Sequence, residues 1–197
     1  MNRLQWRRWL VANALGLFVG LPVFGIIADG GLVEHDGPFD IPMHFAGFMG
    51  MAAVVAFAQR RAIGARHTGY LLWTAVEGIA VFLVGGVAFE LLGPPADFVA
   101  GMTALGGATA FLLRREARAA GRPYPRLMVL KGLGAGLASL VGMVPVFLVA
   151  QSIDDALGGG LPPFLVIIAL LGAIAGVTIA TLVRPVAAAV EAELVAA

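Results

Sequence analysis

The sequence predicts an all-α fold, a polytopic membrane bundle of six transmembrane helices. Three observations carry this. The 197-residue chain is 60% hydrophobic and 13% charged, and a mean hydropathy of +0.93 leaves too little polar surface for a domain dissolved in water. The apolar residues fall into six runs, at 9–28, 41–58, 70–92, 96–113, 127–151 and 161–183, each near the roughly 20 residues that cross a bilayer as a helix. Every arginine lies at the same alternate ends of these runs. With short connections the runs fill residues 1–197 as a single transmembrane domain.

The first run follows Arg3, Arg7 and Arg8. Its basic start resembles a signal peptide, but the apolar stretch is too long for one and no cleavage site follows, so a retained anchor is expected. Asn13 lies one turn in, and Gly16 and Gly20 stand at the GxxxG spacing that lets helix backbones touch. The second run opens with "FDIPMHFAGFMG". Asp40 and His44 are four apart and share a helix face. Asp40 has an N-cap reading, with a proline in the first turn. That reading explains His44 less well, because a helix N-terminus disfavours imidazolium.

The third run places Glu77 in "LLWTAVEGIAVF", about 10 Å in from Tyr70 by helical rise. It closes with Glu90, in a last turn whose dipole repels a carboxylate. Asp97 opens the fourth run, where it too has an N-cap reading. The fifth carries Lys131 about 7 Å in from Arg126 by the same rise, with Gly132 and Gly136 beside it. The sixth carries Gly172 and Gly176 and ends at Arg184. Prolines in "VGLPVFG" and "VGMVPVFL" are expected to kink the first and fifth spans.

Charge fixes the expected orientation. Arg60, Arg61 and Arg66 lie between spans two and three; Arg114, Arg115, Arg118, Arg122 and Arg126 lie between four and five. The remaining connections contain no lysine or arginine and carry acids, among them Asp29, Glu34, Asp36, Asp154 and Asp155. Arginine-bearing loops resist translocation, which puts both termini in the cytoplasm and makes this a multi-pass protein of the inner (plasma) membrane, in contact with the lipid bilayer. The arginines serve topology, so no nucleic-acid partner is implied. The even spans end alike, in "VVAFAQRR", "TAFLLRRE" and "TIATLVRP". These echoes read either as a hairpin repeated three times or as chance in a small apolar alphabet.

Two polar groupings are candidates for chemistry. Asp40, His44, Glu90 and Asp97 share the outer level. They offer oxygen and nitrogen ligands to a divalent metal ion or an acid–base pair. The alternative is a solvated acidic rim. Glu77 and Lys131 lie inside spans, where an ionisable group needs a partner. An intramembrane ion pair between them is expected, as a structural pair or as part of a proton or ion path, with Asn13 placed to join by a hydrogen bond. The chain has no cysteine, which excludes disulfides, thiolate metal sites and cysteine nucleophiles. Dinucleotide- and phosphate-binding loops, nucleophile elbows and zinc-protease helices are also absent.

The stretches "FDIPMHFAGFMGMAAVVAFAQRR", "FELL" and "ADFVAGMTALGGATAFLLRR" resemble the VanZ-like family of small bacterial membrane proteins. That family opens one helix with Asp–Lys–x–x–His, ends the next with Glu, and begins another with Asp followed by Asn–x–x–Gly. The resemblance covers spans two to four. Ile41 stands in the lysine position, Thr103 in the asparagine position, and the glutamine after the Glu is missing. It implies a cell-envelope protein whose Asp40, His44, Glu90 and Asp97 form an outward site for a cation or a polar group of a lipid or cell-wall precursor. Two other functions remain open: a small ion- or proton-coupled transporter, and an accessory subunit bound to other membrane protein subunits.

Overall fold

The structure, a computed structural model, describes residues 3–29, 40–93 and 96–185. Among these the only regular structure is helical, in α1 (Arg3–Asp29), α2 (Asp40–Ile63), α3 (Tyr70–Leu92), α4 (Ala96–Ala119), α5 (Leu127–Leu133), α6 (Ala135–Leu157) and α7 (Leu161–Leu182). Six stretches are long and apolar enough to cross a membrane: Leu4–Ala28, Ile41–Ile63, Tyr70–Ala88, Ala96–Ala119, Leu127–Leu157 and Leu161–Leu182. Helices satisfy every backbone group internally, the condition that lipid imposes. Large apolar side chains such as Leu71, Leu83, Leu91, Val141 and Leu148 cover the outer surface, a surface suited to acyl chains rather than water.

The helices differ from the sequence expectation mainly in reach. α1 starts at Arg3, while α2 and α4 continue to Ile63 and Ala119, carrying their arginines on the helix itself. Arginine is a good helix former, and its long stem follows the helix out of the apolar layer while the charge stays wet. α2 stops at Gly64, whose φ of +64° is a left-handed conformation that glycine adopts without a Cβ clash. The fifth span is interrupted once, at Gly134. The Gly134 N–H donates to the carbonyls of both Leu130 and Lys131 at 3.1 Å, a local tightening between α5 and α6 that leaves the path nearly continuous.

Each span packs on the next and the last returns to the first. α1 meets α2, α2 meets α3, α3 meets α4, α4 meets α5 and α6, α6 meets α7, and α7 meets α1. The result is a closed ring in which α4 is the most enclosed span. Glycine makes the close approaches. Gly172 and Gly176 of α7 lie against the carbonyls of Leu17 and Asn13 in α1. Gly132 of α5 lies against Gly106 of α4, and Gly136 of α6 against Val99 and Thr103. Gly16 and Gly20 face Val55 and Met51 of α2. All three GxxxG pairs thus mark helix contacts, in line with the packing logic of membranes. The core between them contains Trp9, Leu17, Met51, Val55, Trp73, Val81, Met102, Leu105 and Ile179, all buried.

The arginine-bearing end is tied together by specific bonds. The Glu116 carboxylate, near the end of α4, accepts from the N–H groups of Arg66, His67 and Thr68 at 2.7, 3.0 and 2.8 Å. It also accepts from the Thr68 hydroxyl at 2.6 Å, and that hydroxyl in turn accepts from the Trp73 indole at 2.7 Å. One carboxylate therefore holds the whole α2–α3 loop. At the other seam, the Arg184 guanidinium lies 4.8 Å from the Trp6 ring centroid, a cation–π contact. This joins the end of α7 to the start of α1.

Candidate functional site

A chain of buried polar side chains crosses the ring from the arginine-bearing end. The Trp9 indole N–H donates to the Val183 carbonyl at 2.8 Å. Asn13 donates to the Trp9 carbonyl at 2.9 Å, one helical turn back. Gln59 of α2 donates from Nε2 to Asn13 Oδ1 at 2.9 Å and to Thr109 Oγ1 at 3.3 Å. The Thr109 hydroxyl donates to Glu77 Oε1 at 2.9 Å. The polarity is self-consistent. Both amide hydrogens of Gln59 are used, and the Thr109 hydroxyl accepts one bond and donates one, as its chemistry allows. Asn13, Gln59, Glu77 and Thr109 are all fully buried. Four spans, α1 to α4, thus each contribute one polar group to a single network.

Four buried polar atoms in or beside the network make no hydrogen bond among the described residues: Gln59 Oε1, Glu77 Oε2, Thr74 Oγ1 and the Nε of Arg60, which follows Gln59 on α2. Gln59 and Glu77 share the Thr109 hydroxyl, and Thr74 precedes Glu77 by three residues on α3, so it lies on the same helix face. A buried polar atom without a partner is uncommon and costly. Beyond Glu77, toward the opposite end, the buried side chains include Val81, Met102 and Met51, and the buried Ser139 of α6 turns its hydroxyl back to the Ala135 carbonyl at 2.7 Å.

The expected ion pair between Glu77 and Lys131 is not formed. Glu77 is fully buried and bonded to Thr109, whereas Lys131 is exposed on α5. The reason is geometric. α5 begins at Leu127, so a lysine stem one turn in reaches the interface from the outer surface of the bundle. Asn13 joins the Glu77 network as expected, but through Gln59. Gln59, Thr74 and Thr109 went unrecognised in the sequence because neutral polar residues in spans carry no charge signal. Gln59 also sits directly beside Arg60, where a polar residue is unremarkable.

The grouping of Asp40, His44, Glu90 and Asp97 is described only in part. The side chains of Asp40 and Glu90 lie outside the described residues. Phe45 of α2 packs edge-on against Phe82 of α3 with ring centroids 5.2 Å apart. Asp40 and Glu90 follow that contact toward the same end of the bundle, the start of α2 and the last turn of α3. Gly85 of α3 lies beside the backbone of Asp97, with the Asp97 carbonyl 3.5 Å from the position a Cβ would take. Asp97 Oδ1 accepts from the Phe98 N–H at 2.6 Å, which engages it with the open first turn of α4. The His44 ring lies 6.1 Å from that of Phe24, centroid to centroid. Among the described residues no group of three or more His, Cys, Asp or Glu side chains is placed to hold a metal ion.

Fold and site together define a six-span helical membrane protein with a carboxylate buried inside its ring. No protein-family model matches the chain, and no curated protein or solved structure matches it.

Proposed function

We propose that the chain is a small ion- or proton-coupled transporter in which Glu77 takes the coupling ion. The observation that carries this reading is the Glu77 carboxyl, fully buried in a span with Oε2 unpartnered. A structural carboxylate in lipid is expected to be matched by a cation or by several donors; Glu77 has one neutral hydroxyl. The polar chain from Trp9 to Glu77 leads to the arginine-bearing end, which the charge rule assigns to the cytoplasm. The ion therefore enters Glu77 from inside, and the layer of Val81, Met102 and Met51 beyond it is the barrier that opens during transport. The test is reconstitution in proteoliposomes. The protein is expected to dissipate an imposed proton or sodium gradient, and Glu77→Gln to lose that flux while eluting as the same folded species. Equal flux from both would refute the reading.

A second reading keeps the VanZ-like resemblance, with an outward site at Asp40, His44, Glu90 and Asp97 for a cation or an envelope precursor. The alignment of the α2, α3 and α4 ends favours it. On this reading His44→Ala and Glu90→Gln abolish binding of one ligand while sparing flux through Glu77.

A further inference from the structure

We infer that the coupling ion is a proton and that the buried network is the switch that reads it, with Gln59 as the amide that turns over. The inference deepens the transporter reading and rests on it for the use made of the proton. The hydrogens between Gln59 and Glu77 point toward the carboxyl. Gln59 Nε2 donates to Thr109 Oγ1 at 3.3 Å, and the Thr109 hydroxyl donates to Glu77 Oε1 at 2.9 Å. A carboxylate demands this order, because it only accepts. The order has a cost, since it leaves the buried Gln59 Oε1 without a donor. A protonated Glu77 reverses the demand. When it gives its hydrogen to Thr109 Oγ1, the single hydroxyl hydrogen of Thr109 goes to Gln59, which must then present oxygen. A half-turn of the Gln59 amide exchanges Nε2 and Oε1 within nearly the same envelope and gives Oε1 the donor it lacks. A metal ion on the carboxylate has no hydrogen to give and leaves the order unchanged.

The reversal continues past Gln59. Its Nε2 also donates to Asn13 Oδ1 at 2.9 Å, so the exchanged oxygen faces another oxygen unless Asn13 turns as well. Asn13 then gives Nδ2 to Gln59 and releases the Trp9 carbonyl, to which it donates at 2.9 Å. Trp9 carries the indole that holds the Val183 carbonyl at 2.8 Å, at the seam where α7 closes on α1. A proton on α3 is thereby felt at the ring closure through one side chain each of α4, α2 and α1. No other described group in this network titrates. α3 packs on α2 and α4. On α2, Arg60 keeps its charge; its Nη2 donates to the Ala65 carbonyl at 3.3 Å and its Nε has no partner among the described residues. On α4, Glu116 lies two turns beyond Thr109 and is bonded to the α2–α3 loop. The other arginines of both helices follow farther toward that end, and His44 and Asp97 lie toward the opposite one.

The experiment uses the detergent-purified full chain. It carries three glutamines and two asparagines, so the side-chain amide NMR signals of isotope-labelled Gln and Asn are few, and single substitutions assign them. They are followed across pH beside the Glu77 carboxyl carbon, assigned with Glu77→Gln. The Gln59 and Asn13 signals are expected to shift together, with the midpoint of Glu77, and to stay in place when sodium is exchanged for choline at constant pH. Thr109→Val is expected to leave Glu77 titrating and to abolish both amide shifts, and Thr109→Ser to keep them. A Glu77 titration with both amides unmoved would overturn the switch and leave transport through Glu77 standing. Amide shifts that survive Thr109→Val, amides that answer to sodium and not to pH, or a Glu77 that does not titrate wherever the chain stays folded would overturn it also. Undiminished flux in Glu77→Gln proteoliposomes would instead refute the transporter reading, whatever the amides show.

Discussion

The hydroxyl of Thr109 is the joint between Gln59 and Glu77. Thr109→Val keeps the shape and removes the joint, leaving an amide and a carboxyl each short of a partner. A loss of about 1–3 kcal/mol is expected, measured by chemical unfolding in detergent. Thr74→Val is the contrasting case. Its hydroxyl makes no bond among the described residues, so the variant is expected to match or exceed the parent stability. At this scale the sequence was legible for Glu77, because a carboxylate in an apolar run demands an explanation. Its partner was not legible. Lys131 has the right charge, but a side chain's reach along the helix surface decides whether it turns inward, and that depends on the neighbours of α5. Gln59 and Thr109 both lie inside the echoed strings "VVAFAQRR" and "TAFLLRRE", where their likeness drew attention to repetition rather than chemistry.

Helix contacts explain which glycines matter. A Cβ on Gly176 meets the Asn13 carbonyl carbon at 2.6 Å and Ala14 Cα at 2.8 Å, so backbone would have to move. A Cβ on Gly86, in α3, meets nothing within 4 Å. Gly176→Ala is therefore expected to cost about 1–3 kcal/mol as an overpacked contact. Gly86→Ala is expected to be neutral or stabilising, since alanine favours the helix by about 1 kcal/mol. Melting temperatures of the two variants decide it. The GxxxG spacing was readable in the sequence, but the facing helix was not, because spacing names one side of a contact only. Glu116 was hidden for a different reason. It lies in an arginine-rich run, where charge reads as topology. Glu116→Ala is expected to free the loop after α2, seen as faster hydrogen exchange at Arg66, His67 and Thr68, with the spans unaffected.

The molecule as a whole is a ring closed by α7 against α1, and its charge is sorted to two ends. Arg7, Arg61, Arg118 and Arg184 belong to the end where Trp9 meets Val183 and Glu116 holds the α2–α3 loop. Asp154 and Asp155 belong to the other. The native chain has no cysteine, so single cysteines report sidedness directly. Arg118→Cys is expected to label from the cytoplasm and Asp155→Cys from outside; labelling of both from one side would refute the orientation. The six spans were legible because lipid imposes length and hydropathy on each segment separately. Ring closure and the buried network were not, because both depend on which faces of distant spans meet. The central claim is that Glu77 answers to Thr109 within this ring and not to Lys131. Unfolding free energies of Glu77→Gln, Thr109→Val, Lys131→Met and the two double variants containing Glu77→Gln test it. The account predicts a coupling of about 0.5–3 kcal/mol between positions 77 and 109, and additivity within about 0.5 kcal/mol between 77 and 131. Strong coupling of 77 to 131 with none to 109 would contradict it.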